Sequence, residues 1–294
     1  MKVKLPKAGV YVVAVSGGVD SMVLLDLLYK TYKDKAGYRI IVAHMDHGTR
    51  SDSYLDRRLV EDKAKEYSFR SISKKVNLGK EASEDVARTA RYNFLKEVAN
   101  ANQADYILTA HHEDDLIETA IINLLRGTGR KGLSAIINNR KVLRPLLNYP
   151  KKEILDYAKA NQINWHEDST NENETYLRNY IRKNLMPELK PSARHQLVEL
   201  INKTADINVE ADEIIDSLVS VNQDVLSRQL FIALPHDAAK EVLASWLRHN
   251  GIGAFKKSTL ERLTVSAKIG TTGQIYPVQN RVNLKIYKDK LALE

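Results

Sequence analysis

Residues 10–21 read Val-Tyr-Val-Val-Ala-Val-Ser-Gly-Gly-Val-Asp-Ser, an apolar run that ends at a pair of glycines. The β-branched residues predict a buried strand, and the glycines let the backbone turn sharply and come close to a ligand. Ser21 is expected to open the next helix, so that its N-terminus and the N–H groups of the loop face one point. The stretch predicts an anion site formed by Ser16, Gly17, Gly18, Val19, Asp20 and Ser21.

The glycine pair belongs to neither of two common phosphate-binding motifs. It is not followed by Gly-Lys-Ser/Thr, as in a Walker A loop, and it does not match Gly-x-Gly-x-x-Gly. Ser-Gly-Gly-x-Asp-Ser resembles the pyrophosphate loop of the ATP pyrophosphatases, which split ATP between its α and β phosphates. The alternative is an ordinary glycine turn with Ser21 as the N-cap. We expect Asp20 to lie in an exposed loop.

Composition limits the class of protein. The chain has 294 residues, 43% of them apolar, which suits one large or two ordinary globular domains. It contains no cysteine, which excludes disulfides, Cys-based metal sites and a thiol nucleophile. The sequence shows neither an apolar membrane span nor the apolar region of a signal peptide, so we expect a cytoplasmic protein with no membrane partner.

The net charge of +8 favours a polyanionic partner such as RNA, DNA or an anionic membrane surface. Charge alone does not choose among these partners. A basic but inert surface is the alternative.

Strand and helix patterns alternate along the first half of the chain, which predicts an α/β fold with a doubly wound parallel sheet. Ligands of such sheets lie beyond the carboxyl ends of the strands. The Ser16 loop, residues 44–50 and residues 111–115 all lie at such ends. The predicted strands cover residues 10–15, 38–44, 71–75 and 106–109, and the predicted helices cover residues 21–32, 54–67, 81–100 and 116–126.

Two of these segments carry candidate ligands. In residues 44–50, two histidines and Asp46 could hold a metal or order the turn, although we favour a loop that contacts a nucleotide. Asp114 and Asp115 stand at a predicted helix start, where they could cap the helix or hold Mg²⁺ bridging ATP phosphates.

Several further motifs occur in the order seen in the tRNA(Ile)-lysidine synthetase family, which the chain resembles over about residues 10–187. The sequence departs from the family at Leu116, where glutamine is usual, and at the variable position Arg130. The motifs are His44-x-x-His47-Gly48-x-Arg50, Ala87-Arg88-x-x-Arg91-Tyr92, Ala110-His111-His112-x-Asp114-Asp115-x-x-Glu118-Thr119, Leu125-Arg126-Gly127-Thr128-Gly129, Lys131-Gly132-Leu133, Arg144-Pro145-Leu146, Glu167-Asp168-x-x-Asn171 and Arg178-Asn179-x-x-Arg182.

The resemblance implies a sheet of the ATP-pyrophosphatase (adenine nucleotide alpha hydrolase-like) type. It also implies an enzyme that uses ATP and Mg²⁺ to attach L-lysine to C2 of the wobble cytidine of tRNA(Ile) with a CAU anticodon, through an adenylated cytidine. The candidate catalytic residues are Asp20, Asp46, Asp115 and Arg126, with Mg²⁺ on Asp20 and Asp114. The candidate substrate-binding and tRNA-binding residues in this part of the chain are His47, Arg50, Arg88, Arg91, His111, Arg130, Arg178 and Arg182.

Arg178 and Arg182 should share a helical face, because they are four residues apart. They could contact RNA phosphates, which we favour, or an acidic partner such as Asp168. Arg126 and Arg130 flank Gly127-Thr128-Gly129, a loop that could close over substrate or merely join two helices.

The last third of the chain predicts a long connecting helix over residues 192–218 and a smaller α+β module. Within the module we expect a strand at 231–234, a helix at 238–250 and a strand-rich tail. Lys256, Lys257, Arg262 and Lys268 make it basic, which suits tRNA binding. The predicted domains are a catalytic domain at 1–190, a connector at 191–223 and a tRNA-binding domain at 224–294. The chain resembles the short form of the family, and a homodimer remains one option.

Three other function classes compete. A tRNA thiolation enzyme shares the loop, but sulfur transfer generally uses cysteine, which is absent here. An amide-forming ligase of small molecules would need no basic second domain. A non-catalytic RNA-binding relative would not need the intact Ser16–Ser21 motif.

Overall fold

The computed structural model describes residues 1–46, 53–77, 84–137, 141–166, 177–219, 225–253, 255–279 and 281–294. It divides into two compact units, Met1–Ala205 and Asp206–Glu294. The division falls within one long helix, Pro191–Val219, at the place where the sequence predicts such a helix. The domain boundaries near residues 190 and 223 and the connecting role of this helix stay predictions.

The first unit contains a five-stranded parallel sheet in the order β3-β2-β1-β4-β5. The doubly wound parallel sheet predicted from the sequence is therefore confirmed. Its strands are β1 (Gly9–Ala14), β2 (Tyr38–Asp46), β3 (Arg70–Lys75), β4 (Tyr106–Leu108) and β5 (Val142–Leu143). Its helices are α1 (Val19–Tyr32), α2 (Ser53–Glu66), α3 (Glu84–Ala101), α4 (Glu113–Leu125), α5 (Arg130–Leu133), α6 (Lys151–Ala160), α7 (Leu177–Tyr180) with a π-helical turn at Ile181–Leu185, and the start of α8 (Pro191–Val219).

Alternation of buried side chains along β1 separates two cores on opposite faces of the sheet. Tyr11 and Val13 pack with apolar residues of α1, α2 and α6. Val12 packs on the other face with Phe94 and Leu95 of α3. Burial on both faces explains why this strand reads as a continuous apolar run.

The sheet order places β1 next to β4 at the centre of the sheet. The chain runs from β1 through β2 to β3 on one side, and from β4 to β5 on the other side. The loops after β1 and β4 lie on either side of this switch point, which is the usual ligand position in such sheets. The sequence did not predict β5, α5, α6 or α11 (Lys257–Ile269). The first two have only two and four residues, too few to show a period.

The second unit contains an antiparallel sheet in the order β6-β9-β8-β7, which confirms the predicted small α+β fold. Its strands are β6 (Val225–Ser227), β7 (Ile275–Gln279), β8 (Val282–Ile286) and β9 (Lys290–Leu293). The helices α9 (Arg228–Ala233), α10 (His236–His249) and α11 accompany it. Trp246 and Phe231 are fully buried in its core.

The predicted strand at residues 231–234 is wrong, because residues 231–233 belong to α9. Ser227 caps this helix by accepting a hydrogen bond from the Leu230 N–H. An apolar run of four residues does not distinguish a strand from one face of a short helix.

Within the described ranges, the structure contains no helix with both the length and the apolar content that a membrane crossing requires.

Candidate active site

The loop between β1 and α1 is closed by the hydroxyl of Ser21. This hydroxyl donates to the Gly18 carbonyl at 2.9 Å and accepts from the Ser16 N–H at 3.1 Å. The helix already begins at Val19, with Gly18 as its N-cap, so the expectation that Ser21 opens the helix is wrong. Ser21 instead ties the two arms of the loop together. The first N–H groups of α1, which lack partners within a helix, belong to the motif itself.

Gly17 is the position where the loop requires glycine. Its φ of +95° lies in the left-handed region, and an added Cβ would be 3.2 Å from Cβ of Asp56 on α2. The His166 N–H donates to the Gly17 carbonyl at 3.1 Å, and His166 Nδ1 lies 2.7 Å from Asp56 Oδ1. The loop is therefore held from outside by α2 and by the segment after α6.

Asp20 lies in the first turn of α1 with 29% of its side chain exposed, and not in an exposed loop as expected. Its Oδ1 is 2.5 Å from Lys151 Nζ, and its Oδ2 is 3.8 Å from His112 Nε2. The same His112 nitrogen is 3.4 Å from Asp115 Oδ2. The structure therefore brings two predicted catalytic carboxylates, from the first turns of α1 and α4, to one buried imidazole.

The start of α4 carries three acidic residues, Glu113, Asp114 and Asp115, as the motif predicts. Asp115 accepts a hydrogen bond from the His112 N–H at 3.1 Å. Burial alone would raise the pKa of Asp115, but the charge of His112, its backbone N–H and the charge of Arg182 outweigh burial and hold that pKa below its usual value. Asp115 therefore stays ionised at the helix N-terminus, where negative charge is stabilised.

Asp114 faces other partners. Its Oδ1 accepts from the Lys151 backbone N–H at 3.2 Å and lies 2.7 Å from Arg194 Nη2. The carboxylate thereby joins α4 to the starts of α6 and α8. Burial raises the pKa of its neighbour Glu113, against the opposing charge of Arg194.

Within the described part of the chain, no group of three or more His, Asp or Glu side chains is placed to hold a metal ion. Mg²⁺ bound to a nucleotide needs fewer protein ligands, because one or two carboxylates and the phosphates suffice. Asp20 lies beside the loop and offers a carboxylate of the kind Mg²⁺ takes, but its Oδ1 is paired with Lys151 Nζ, so its role as a ligand stays a prediction. Asp114 would first have to release Arg194, so its role as a ligand stays a prediction.

Arg178 and Arg182 contact an acidic partner on α4. Arg182 donates from Nε to Glu118 Oε1 at 2.8 Å and from Nη2 to Oε2 at 2.9 Å. Arg178 Nε lies 3.6 Å from the same carboxylate, and its Nη2 donates to Thr119 at 3.1 Å. Arg182 also lies 3.4 Å from Asp115. Asp168, the acidic partner considered from the sequence, lies outside the described residues, and contact of these arginines with RNA stays a prediction.

His111 is influenced by the positive charges of Arg88, Arg144 and Arg178. Its Nδ1 is 2.8 Å from the Thr109 hydroxyl. Burial, assisted by these three arginines and opposed by Asp115, lowers its pKa from 6.5 to about 4. His111 is therefore neutral at pH 7.

Several predicted residues lie farther out or outside the described ranges. Asp46 is buried at the end of β2, where His44 Nδ1 donates to the Val15 carbonyl at 2.8 Å. Arg126 is exposed at the end of α4, and Arg130 begins α5. The guanidinium of Arg88 stands 5.1 Å from the ring of Tyr92, and Arg91 is exposed on α3. His47 and Arg50 lie outside the described residues.

The predicted basic residues of the second unit differ in what they contact. Lys256 and Lys257 are exposed at the start of α11. Arg262 and Lys268 donate to the backbone carbonyls of Pro277 and Leu234. Arg262 and Lys268 therefore make hydrogen bonds within the second unit.

Sequence reasoning assigned no site role to Lys151, Arg194, Asp56, His112 or Glu118. His112 and Glu118 lie in the same sequence motif as Asp114 and Asp115, between Ala110 and Thr119. The helix that presents Lys151 had a signal, because Pro150 precedes an apolar pair, Ile154 and Ala158, spaced four residues apart. Arg194 and Asp56 had no local signal, since only tertiary structure brings them to the loops.

A parallel α/β sheet with a glycine loop at a helix N-terminus, beside carboxylates and a lysine, defines a phosphate-binding α/β domain. The family model of the PP-loop domain matches residues 2–189, and the chain belongs to that family.

The chain is also similar to several curated tRNA(Ile)-lysidine synthases. The protein from Thermotoga maritima is 38% identical over 202 residues, covering 65% of this chain and 49% of that protein. The one from Nitrosomonas europaea is 35% identical over 72% of this chain and 47% of its own length. For Thermosipho africanus the identity is 31%, over 85% of this chain and 60% of the relative. The chain thus spans about half the length of the curated relatives it matches.

Among solved structures, the chain is similar to the U34-tRNA thiolase NcsA from Methanococcus maripaludis, described with its [4Fe-4S] cluster. The TM-score is 0.57 at 18% identity, over 68% of this chain and 73% of that chain. A likeness at this level of identity supports the fold alone.

Proposed function

We propose that this chain uses ATP to attach L-lysine to C2 of the wobble cytidine of tRNA(Ile) bearing the anticodon CAU. The observation that carries the proposal is the placement of Asp20 and Asp115 around His112, directly beside the Ser16–Ser21 loop. The similarity to tRNA(Ile)-lysidine synthases supports this choice of substrates.

In the first step, O2 of the cytidine attacks the α phosphorus of ATP. A new O–P bond forms, the bond between the α phosphorus and the bridging oxygen breaks, and pyrophosphate leaves with the electron pair. The N–H groups at the start of α1 and the loop residues Ser16, Gly17 and Gly18 would hold the leaving anion. Mg²⁺, when bound at Asp20 with the phosphates, would neutralise the growing charge.

In the second step, the side-chain amine of lysine attacks C2 of the adenylated cytidine. A C–N bond forms, the C–O bond breaks, and AMP leaves. The free amine has a pKa near 10.4, so it must lose a proton to react. Asp115 suits the role of proton acceptor, because its carboxylate is ionised. It also contacts His112, the imidazole that lies beside Asp20. Asp20 and Asp46 remain alternatives for this role.

The second unit would bind the body of the tRNA. Lys256 and Lys257 support this role, because both residues are exposed and adjacent in sequence at the start of one helix. Contacts of this kind give affinity through phosphates and carry no sequence information.

The test incubates the purified chain with ATP, Mg²⁺, labelled L-lysine and an unmodified tRNA(Ile) transcript with CAU, with a C34→U transcript as the control. We expect label on the CAU transcript only. Cleavage of ATP with another nucleophile and no labelled RNA would contradict the proposal and favour a small-molecule ligase.

Asp20→Ala should abolish this labelling while the protein stays folded, as judged by circular dichroism. An unchanged rate in Asp20→Ala would refute the assignment of the site. Glu199→Gln, an exposed change on α8, is the matched control and should label RNA like the parent chain.

A further inference from the structure

Lys151 reaches the phosphate loop from a distant part of the sequence. Its Nζ lies 2.5 Å from Asp20 Oδ1, although the two residues are 131 positions apart. It is the first residue of α6, and about a third of its side chain is exposed. Its ammonium group therefore stands beside the loop and remains accessible to a ligand.

The backbone of Lys151 is fixed independently of its side chain. The N–H donates to Asp114, which Arg194 holds from α8. The side chain is joined by a salt bridge to Asp20 and can change partner without disturbing this anchor. A long, flexible lysine stem suits such an exchange.

The loop itself carries no cation. A Walker A loop contributes its own lysine to the phosphates, whereas residues 16–21 contain serine, glycine, valine and aspartate only. Asp20 adds a negative charge where an anion is expected, which would repel that anion unless a cation compensates. The ammonium group of Lys151 directly contacts the Asp20 carboxylate and can supply this compensating charge.

We propose that Lys151 binds the pyrophosphate portion of ATP and that Asp20 is its partner when no nucleotide is bound. This inference rests on the function proposed above. When the α phosphorus separates from the bridging oxygen, the electron pair stays on pyrophosphate, and the Lys151 ammonium neutralises that charge by hydrogen bonding without giving up its proton. Lys151 is then a substrate-binding residue, and Asp114 and Arg194 act as positioning residues.

The test measures binding of inorganic pyrophosphate by calorimetry, together with KM for ATP and for lysine. Lys151→Met should weaken pyrophosphate binding and raise KM for ATP by about tenfold or more, as loss of a charge-assisted hydrogen bond implies. KM for lysine should change by less than about twofold, since an unaffected subsite gives no change. Lys151→Arg should retain most of the affinity. The neighbouring, exposed Lys152→Met is the matched control and should bind like the parent chain.

A second variant distinguishes the inference from a purely structural role of the pair. If Lys151 binds pyrophosphate, Asp20→Asn frees its ammonium group, and the variant should bind pyrophosphate in EDTA at least as tightly as the parent chain does. If the pair only stabilises the structure, Asp20→Asn should not bind it more tightly. Weaker binding in Asp20→Asn, or unchanged binding in Lys151→Met, would overturn the inference. If the parent chain makes lysidine while Lys151→Met keeps its pyrophosphate affinity, only this inference fails. If the parent chain neither binds pyrophosphate nor labels RNA, the proposed function fails with it.

Discussion

Arg182 donates two hydrogen bonds to Glu118, from Nε to Oε1 at 2.8 Å and from Nη2 to Oε2 at 2.9 Å. Glu118 is only 1% exposed, and burial raises its pKa although Arg182 opposes the shift. The paired geometry fixes the π-helical turn against α4, the helix whose start carries Asp115. One ion pair thus supports the position of a proposed catalytic carboxylate.

Breaking this pair should cost stability. Glu118→Gln removes the nearer counter-charge of the half-buried Arg182 and leaves only the longer contact to Asp115 at 3.4 Å, and we expect the free energy of unfolding to fall by about 2–4 kcal/mol. Urea denaturation followed by circular dichroism measures the change. Glu199→Gln, on an exposed face of α8, should change stability by less than about 0.5 kcal/mol. Equal stabilities of the two variants would show that the pair contributes nothing.

Gly17→Ala should disable the loop more than it destabilises the chain. An alanine would be strained at φ +95°, and its Cβ would be 3.2 Å from Asp56, at an expected cost of about 1–2 kcal/mol. The shifted loop should bind pyrophosphate at least about tenfold more weakly, because each backbone donor must be aimed at the anion. Calorimetry and urea denaturation measure the two effects.

Gly253→Ala is the control, since an added Cβ there meets nothing within 4 Å. Pyrophosphate binding by Gly17→Ala at the affinity of the parent chain would contradict the importance of this close approach.

The fold was predictable from sequence where long segments have a clear period. The apolar run of β1 and the glycine pair identified the central strand and the loop, because burial on both faces demands such a run. The strand assigned to residues 231–234 failed because four apolar residues carry no period, and Ser227 capped a helix instead.

The site was predictable only in part, for a different reason. Asp20 and Asp115 lie in local motifs, so their residue types and spacing identify them. Lys151 contacts Asp20 only because α6 begins beside the loop after β1, and such a contact between residues 131 positions apart leaves no local pattern. The position of Ser21 differs from the prediction because the helix begins two residues earlier, and the Ser21 hydroxyl bonds back to Ser16 and Gly18 from the first turn, which an N-cap pattern does not reveal.

His111 should make stability depend on pH. Its pKa falls from 6.5 to about 4 on folding, so between these values the unfolded chain binds more protons than the folded one. Stability should therefore be full above pH 6.5 and decrease by about 3 kcal/mol as the pH falls towards 4.

Histidine NMR titration checks this directly, with the His111 resonance assigned by its loss in His111→Gln. We expect a midpoint near 4 in the parent chain and a flatter dependence of stability on pH in the variant. His195→Gln, an exposed change in the same unit, should leave that titration in place. A midpoint near 6.5 would contradict the burial of His111 and the effect of the positive charges of Arg88, Arg144 and Arg178.

Lys256 and Lys257 should contribute affinity for tRNA without contributing to chemistry. If each contacts one phosphate, Lys256→Glu or Lys257→Glu should weaken binding and reduce the slope of log K against log salt by about 1. Filter binding at several salt concentrations measures the slope, and binding of pyrophosphate should stay unchanged. Lys288→Glu makes the same change of charge at another exposed position of the second unit. An equal loss of affinity in Lys288→Glu would mean that tRNA responds to total charge and not to the start of α11, whereas a selective loss would assign the phosphate contacts to this helix.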